Sequence, residues 1–245
     1  MPFETIQSKR LFEHVADQVS GLINSGEYEP GNRLPPERDL AKQLGVSRPT
    51  VREAMIALEM SGFVEVRVGA GIFVSPLQPQ PTLNHGPQLS GPSPTELLEA
   101  RLELEPTNAA LAAERIRPEQ LEDLEEAITL QIEEDAIGAE GDYRFHQLIA
   151  EATGNRALVA MTEYLWGQMH HSPMWQRLIE QAQLTGLYPV ILDDHRGLLD
   201  AFHRRDSNSA PLLKTMWSNP NPGISFSSFS YRPSAAKLPK TIEQY

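Results

Sequence analysis

Two groups of residues in this 245-residue chain have the types and the spacing to do chemistry. The first is Arg48 and Arg52 in the run VSRPTVREAM. Four residues apart on a helix, they share one face. A guanidinium can donate two parallel hydrogen bonds to the major-groove edge of guanine, which discriminates against a wrong base by about 1–3 kcal/mol. Ser47 and Thr50 stand at the start of the same segment, where hydroxyls and free backbone N–H groups can hold a phosphate. Arg38 opens the preceding helical pattern and is placed for the DNA backbone rather than for a base. Gly69 lies in the turn VGAG, where glycine lets a backbone come close to a minor groove. The competing reading is a solvated helix face whose arginines pair with Glu37 or Glu53.

The second group is Asp142 and His146, four apart in GDYRFHQLIAEATGN, with His195 in DDHRGLLDAFHRRD. A carboxylate and two imidazoles facing the interior of a helical bundle suit a divalent ion such as Zn, Mn or Ni. A surface salt link is the competing reading of an Asp-x-x-x-His pair. A metal-dependent enzyme built on these residues is one expectation the pattern allows. The sequence carries no nucleophile elbow, no phosphate-binding glycine loop and no H-E-x-x-H, which weighs against it.

The elements that must position these groups follow from periodicity. Residues 8–25 place Leu11, Val15, Val19, Leu22 and Ile23 at helical spacing, ahead of Gly26. Leu40, Ala41 and Leu44 mark a second helix that begins near Pro36 and stops at Gly45. Ser47 is a good N-cap for a third, whose buried stripe is Val51, Ala54, Met55 and Leu58. FVEVR and IFVS, joined by the glycine turn, read as a β-hairpin. Three helices followed by a hairpin is the order of a winged helix-turn-helix, assigned to residues 1–75.

Residues 76–93 are proline-rich and read as a linker. From Ser93, a capping-box start, the pattern is helical to about residue 206, with six helices and no strand. The expected fold is therefore mainly α: a winged helix-turn-helix, then an antiparallel helical bundle over 94–206. Residues 207–245 hold five prolines and eight serines without apolar periodicity, and are expected to be an irregular or disordered tail.

Charge divides the chain in the same place. The formal net charge is −12, yet residues 1–75 carry eight Lys/Arg against ten Asp/Glu, so the acidic excess lies in the other part. That argues against nonspecific polyanion binding by the whole molecule and leaves room for one DNA-binding face. There is no cysteine, hence no disulfide and no thiolate metal site. No signal peptide and no run of about 18 apolar residues is present, so the expectation is a soluble cytoplasmic protein with no membrane partner.

The run GNRLPPERDLAKQLGVSRPTVREAMIALEMSGFVEVRVGAGIFV resembles the DNA-binding domain of the GntR family of bacterial transcription regulators. The resemblance covers about residues 8–75. It implies that Arg38, Arg48 and Arg52 contact DNA, helped by Ser47, Thr50 and Gly69, and that a homodimer binds a palindromic operator. Pro49 stands where many members have Thr or Ser. The segments ELLEARLELEP, GDYRFHQLIAEATGNRAL and DDHRGLLDAFHRRD resemble the FadR-type subgroup, whose C-terminal domain is a ligand-binding helical bundle. That resemblance implies metal binding by Asp142, His146 and His195, with a fourth His near residue 217. Trp217 stands there, and no histidine follows His203, so the fourth ligand is missing. The family's last helix has no counterpart in 207–245, so the bundle's last helix is expected to be absent or altered.

MHHSPMWQRL and the run LDDHRGLLDAF look most like the hexuronate-utilisation repressors, which implies a sugar-acid effector. A carboxylate effector wants a cation. Arg101 is the candidate for it, with a pair to Glu105, Glu96 or Glu99 as the alternative. His171 is the candidate for a sugar hydroxyl, with a surface position before Pro173 as the alternative. The resulting expectation is a repressor released from DNA by a small acid. A DNA-binding protein with an inactive sensor is the alternative.

Overall fold

The structure is a computed structural model that describes residues 10–76 and 91–207. Helix α1 (Leu11–Asn24) buries Phe12, Val15 and Val19. Val15 and Val19 of the expected stripe are buried, but Leu11 and Leu22 are exposed, and Phe12 takes the inner position. Helix α2 (Glu37–Leu44) buries Leu40 and Ala41 and ends at Gly45. Helix α3 (Arg48–Met60) starts at Ser47, whose Oγ accepts a hydrogen bond from the Thr50 N–H at 3.2 Å. This satisfies one of the donors that every helix start leaves over.

The expected stripe of α3, Val51, Ala54, Met55 and Leu58, is buried, and so are Ile56, Ala57 and Glu53. The wider burial has a tertiary cause. One side of α3 packs on α1 and α2, and another meets the bundle. Strands β1 (Val64–Arg67) and β2 (Gly71–Val74) pair antiparallel, with Val64 opposite Val74 and Arg67 opposite Gly71. The chain before α2 joins this hairpin, since the Leu34 N–H donates to the Ile72 carbonyl at 2.9 Å and Arg33 bridges Phe73. Gly71 has φ +118, a backbone conformation that residues with a Cβ rarely adopt, which favours glycine there.

The second part holds α4 (Pro94–Arg115), α5 (Pro118–Glu134), α6 (Glu140–Ala152), α7 (Arg156–His171), α8 (Pro173–Leu184) and α9 (Tyr188–His203). Helix α4 opens with the expected capping box, in which the Ser93 N–H donates to Glu96 at 2.7 Å and the Glu96 N–H donates to Ser93 Oγ. Its inner side rests on α6, α7 and α9, while α5 packs on α6 and α9. Leu97, Ala112, Leu124, Phe145, Ile149, Trp166, Leu198 and Phe202 fill the space between them. No helix among the described residues is long and apolar enough to cross a membrane. The expectations for the linker over 77–90 and for the tail beyond 207 lie outside the described residues.

Candidate functional site

Consider first the face of α3. Arg48 is exposed at the first position of the helix, one turn before Arg52. Arg52 is half-buried and held by Glu37 of α2, with Nε donating to Oε1 at 3.0 Å and Nη2 to Oε2 at 2.6 Å. The expected shared face therefore divides: Arg48 projects, and Arg52 also ties the two helices of the motif together. The hydroxyls of Ser47 and Thr50 lie 2.7 Å apart and close the helix start. Arg38 is exposed, with only a short link to Asp39 at 3.2 Å. Gly69 sits exposed at the tip of the hairpin with φ +75.

The buried centre lies where α4, α5, α6, α7 and α9 converge. Asp142 and His146 lie one turn apart on α6, and α9 brings His195 beside them. Each offers one ligand atom, and these atoms all lie within 4.8 Å of one another. Asp142 Oδ1 is 3.6 Å from His146 Nε2 and 3.7 Å from His195 Nε2. Its other oxygen, Oδ2, accepts the Gly138 N–H at 2.8 Å. The surface salt link considered for this pair is excluded, since all three residues are at most 4% exposed.

Helix α6 reaches this position because residue 141 is glycine. A Cβ at Gly141 would collide with the backbone N of Gln131 and meet its Cα at 2.7 Å. The start of α6 thus lies directly against α5, which puts Asp142 beside Gln131. Glu134 secures the contact by accepting the Gly141 N–H at 2.8 Å.

Outer partners fix both rings. His195 Nδ1 lies 2.7 Å from Gln131 Oε1, so Nδ1–H donates and the lone pair falls on Nε2. His195 Nε2 has no hydrogen-bond partner, and it is aimed at Asp142. His146 Nδ1 faces Glu105 Oε1 at 3.5 Å, leaving its Nε2 inward as well. Burial, and next the Arg101 charge, hold His146 well below its ordinary pKa; burial, His146 and Arg101 do the same to His195. Both imidazoles are therefore neutral near pH 7, the form that ligates a metal. Burial pushes Asp142 up to about 6, against the Arg101 charge and the Gly138 N–H. The donor set, its committed outer nitrogens and the orphaned Nε2 fit a divalent ion.

Arg101 joins this centre from α4 and is 2% exposed. Its Nε donates to Glu105 Oε1 at 2.5 Å, so the intrahelical pair considered from the sequence is present. The rest of the guanidinium points inward: Nη2 is 3.3 Å from His146 Nε2, Nη1 is 3.8 Å from Met169 Sδ, and Cζ lies 4.5 Å from the centroid of the Trp166 ring. His171 does not join them. It is exposed in the last turn of α7, with Nδ1 2.7 Å from the Gly167 carbonyl. Trp166 and Met169 take the inner side of that helix, and the helical turn carries residue 171 outward. Glu105 as a ring partner, Gln131, Gly141 and Trp166 are the parts that sequence reasoning did not assign to the site. No local motif marks them, because each acts across helices.

Two stretches of the chain, one over the helix-turn-helix and wing and one over the bundle, match known families. Residues 11–74 match "Bacterial regulatory proteins, gntR family", and residues 96–216 match the FCD domain. The Exu regulon transcriptional regulator of Escherichia coli K12 is 36% identical over 222 residues, 87% of this chain and 83% of that protein. The chain belongs to the gntR family of bacterial regulatory proteins. The Uxu operon transcriptional regulator of the same organism is 37% identical over 220 residues, 86% of this chain and 84% of that one. Among solved structures, Streptococcus agalactiae GntR is similar at 29% identity and a TM-score of 0.38, over 84% of this chain and 96% of that one. This gntR-family chain is a DNA-binding transcription regulator rather than an enzyme, as its curated relatives are.

Proposed function

We propose that this gntR-family regulator is a repressor of sugar-acid utilisation genes that binds a palindromic operator as a homodimer and is released by a hexuronate. The observation that carries the effector reading is the buried Arg101 guanidinium facing Asp142, His146 and His195 inside the bundle. A cation at that depth, beside three metal-ligand groups, suits a small carboxylate better than an apolar ligand. The names of the Exu and Uxu regulators support the choice of acid.

In this reading Asp142, His146 and His195 hold a divalent ion such as Zn, Mn or Ni. When bound, the ion supplies open coordination positions for a carboxylate oxygen. Arg101 supplies the matching charge through Nη1 and Nη2, while Glu105 keeps Nε in place. Gln131 and Glu105 hold the rings in the ligating tautomer. On the DNA side, Arg48 reads base edges and Arg52 reads from its clamp on Glu37. Arg38, Ser47, Thr50 and Gly69 meet the backbone and the minor groove. The acid weakens operator binding only as far as it prefers the arrangement that does not fit DNA.

The test is a fluorescence-anisotropy titration of the full chain on a duplex that the protein itself selects from random sequence. Adding galacturonate or glucuronate should weaken binding, and Arg101→Ala should abolish the response without changing the selected sequence. Indifference to every sugar acid would overturn the effector reading and leave DNA binding standing.

A further inference from the structure

Two acidic residues of α3 point away from the DNA face and into the bundle. Glu59, in the last turn, has both carboxylate oxygens engaged. Oε1 accepts from Arg177 Nη2 at 2.7 Å and from the Val66 N–H of β1 at 3.1 Å. Oε2 accepts from Arg177 Nε at 2.8 Å and from Gln181 Nε2 at 3.2 Å. Arg177 and Gln181 belong to α8 of the bundle. Glu53, six residues earlier, accepts the Thr95 N–H at 2.8 Å in the first turn of α4.

These contacts differ from ordinary surface pairs. The Arg177–Glu59 bridge is fork on fork, so it fixes an angle as well as a distance. The Glu59 side chain is only 13% exposed, which limits screening by salt. One carboxylate also gathers three elements: the end of α3, the first strand of the wing, and α8. Both parts that meet DNA are thereby referred to one point on the bundle. The Glu53 contact reaches only the start of α4, at Ser93 and Thr95, and by itself it would act as a pivot.

The same two bundle helices lead to the buried centre. Helix α4 carries Arg101, six residues beyond Thr95. Helix α8 follows α7 after the single residue Ser172, and α7 sets Trp166 and Met169 against Arg101.

We propose that Arg177 is a positioning residue for DNA recognition: through its bidentate bridge to Glu59 it sets the angle at which the bundle holds α3 and the wing. The proposal rests on α3 being the DNA-reading helix of the gntR domain, and not on the identity of any effector. Without the bridge, α3 turns about the Glu53–Thr95 contact, and the arrangement that fits an operator becomes a minor one.

The chain has no cysteine, so spin labels can be placed cleanly at Lys42→Cys and Glu133→Cys, both exposed, one in each part. The labelled full chain, diluted with unlabelled protein, is read by double electron–electron resonance. A narrow distance distribution is expected with Arg177, a broad one in Arg177→Ala and an intermediate one in Arg177→Lys. In parallel, Arg177→Ala should bind the operator selected by the parent protein about tenfold more weakly, as expected if the competent fraction falls to about a tenth. The bases it selects should not change, whereas Arg48→Ala should change them. Should Arg177→Ala fold poorly, Arg177→Lys and Gln181→Ala give the same two readouts. An unchanged narrow distribution, or a broad one with unchanged operator affinity, overturns the proposal.

Discussion

At the scale of single residues, the two arginines of α3 proposed for DNA contact do not share one task. Arg48 projects from the helix start, while Arg52 is engaged by Glu37 through two hydrogen bonds. Arg48→Ala should therefore cost base discrimination, about 1–3 kcal/mol at one position of each half-site, with little change in thermal stability. Competition binding against single-base operator variants checks this, and an unchanged preference would show that Arg48 reads no base. The pair of Arg52 with Glu37 was legible as an alternative in the sequence. Which alternative holds is decided by how closely α2 approaches α3.

Glu53 offers a second test at this scale. Burial raises its pKa above the ordinary 4.5, outweighing the hydrogen bonds from Thr95 and Ser93. The folded state then holds the proton more tightly than the unfolded chain, so this group's contribution falls as pH rises from 4.5 through the raised value. Glu53→Gln keeps an acceptor for the Thr95 N–H and removes the charge. The variant should be the more stable protein at pH 7, with the difference fading toward pH 4.5, as read from urea midpoints. A difference that does not vary with pH would rule out this titration.

At the scale of elements, local chemistry and close approach divide the work. The caps at Ser47 and Ser93 were readable because a cap involves neighbours in sequence. On α1 the inner Val15 and Val19 were readable, but the first inner residue was not, since Phe12 and Leu11 both extend an apolar pattern and only packing selects one. Gly141 had no sequence signal at all. It allows α6 to rest on the backbone of α5 at Gln131, and with that Asp142 meets His195. Gly141→Ala should cost about 1–3 kcal/mol of stability through overpacking. It should also weaken zinc binding, because it moves one ligand helix away from the outer partner of the other. Calorimetric titration with zinc and a urea curve on the same sample measure both effects. Parent-like values would mean that the contact relaxes without cost.

At the scale of the whole molecule, the prediction concerns a bound ion as a stabiliser. An ion that binds only the folded bundle raises its stability by about 2.7 kcal/mol at one hundred times its dissociation constant. Zinc, manganese or nickel added to chelator-treated protein should raise the thermal midpoint, and His195→Ala should remove the rise. Trp166, whose ring lies 5.4 Å from that of His146, gives a fluorescence signal for the same event. A midpoint unmoved by all three ions would exclude the site as a metal centre.

The sequence by itself determined the order of elements, the helix starts and the two-part division of charge, and it named Asp142, His146 and His195 as a candidate set with a surface salt link as the alternative. These follow from periodicity and short-range chemistry, which a linear pattern records. Only the tertiary structure decided that Arg101 joins that set and His171 does not, that Gln131 and Glu105 orient its rings, and that α8 holds α3 through Glu59. The reason is physical. Each of these facts depends on the rotation of one helix about its axis and its distance from another, and both are set by packing between residues far apart in the chain.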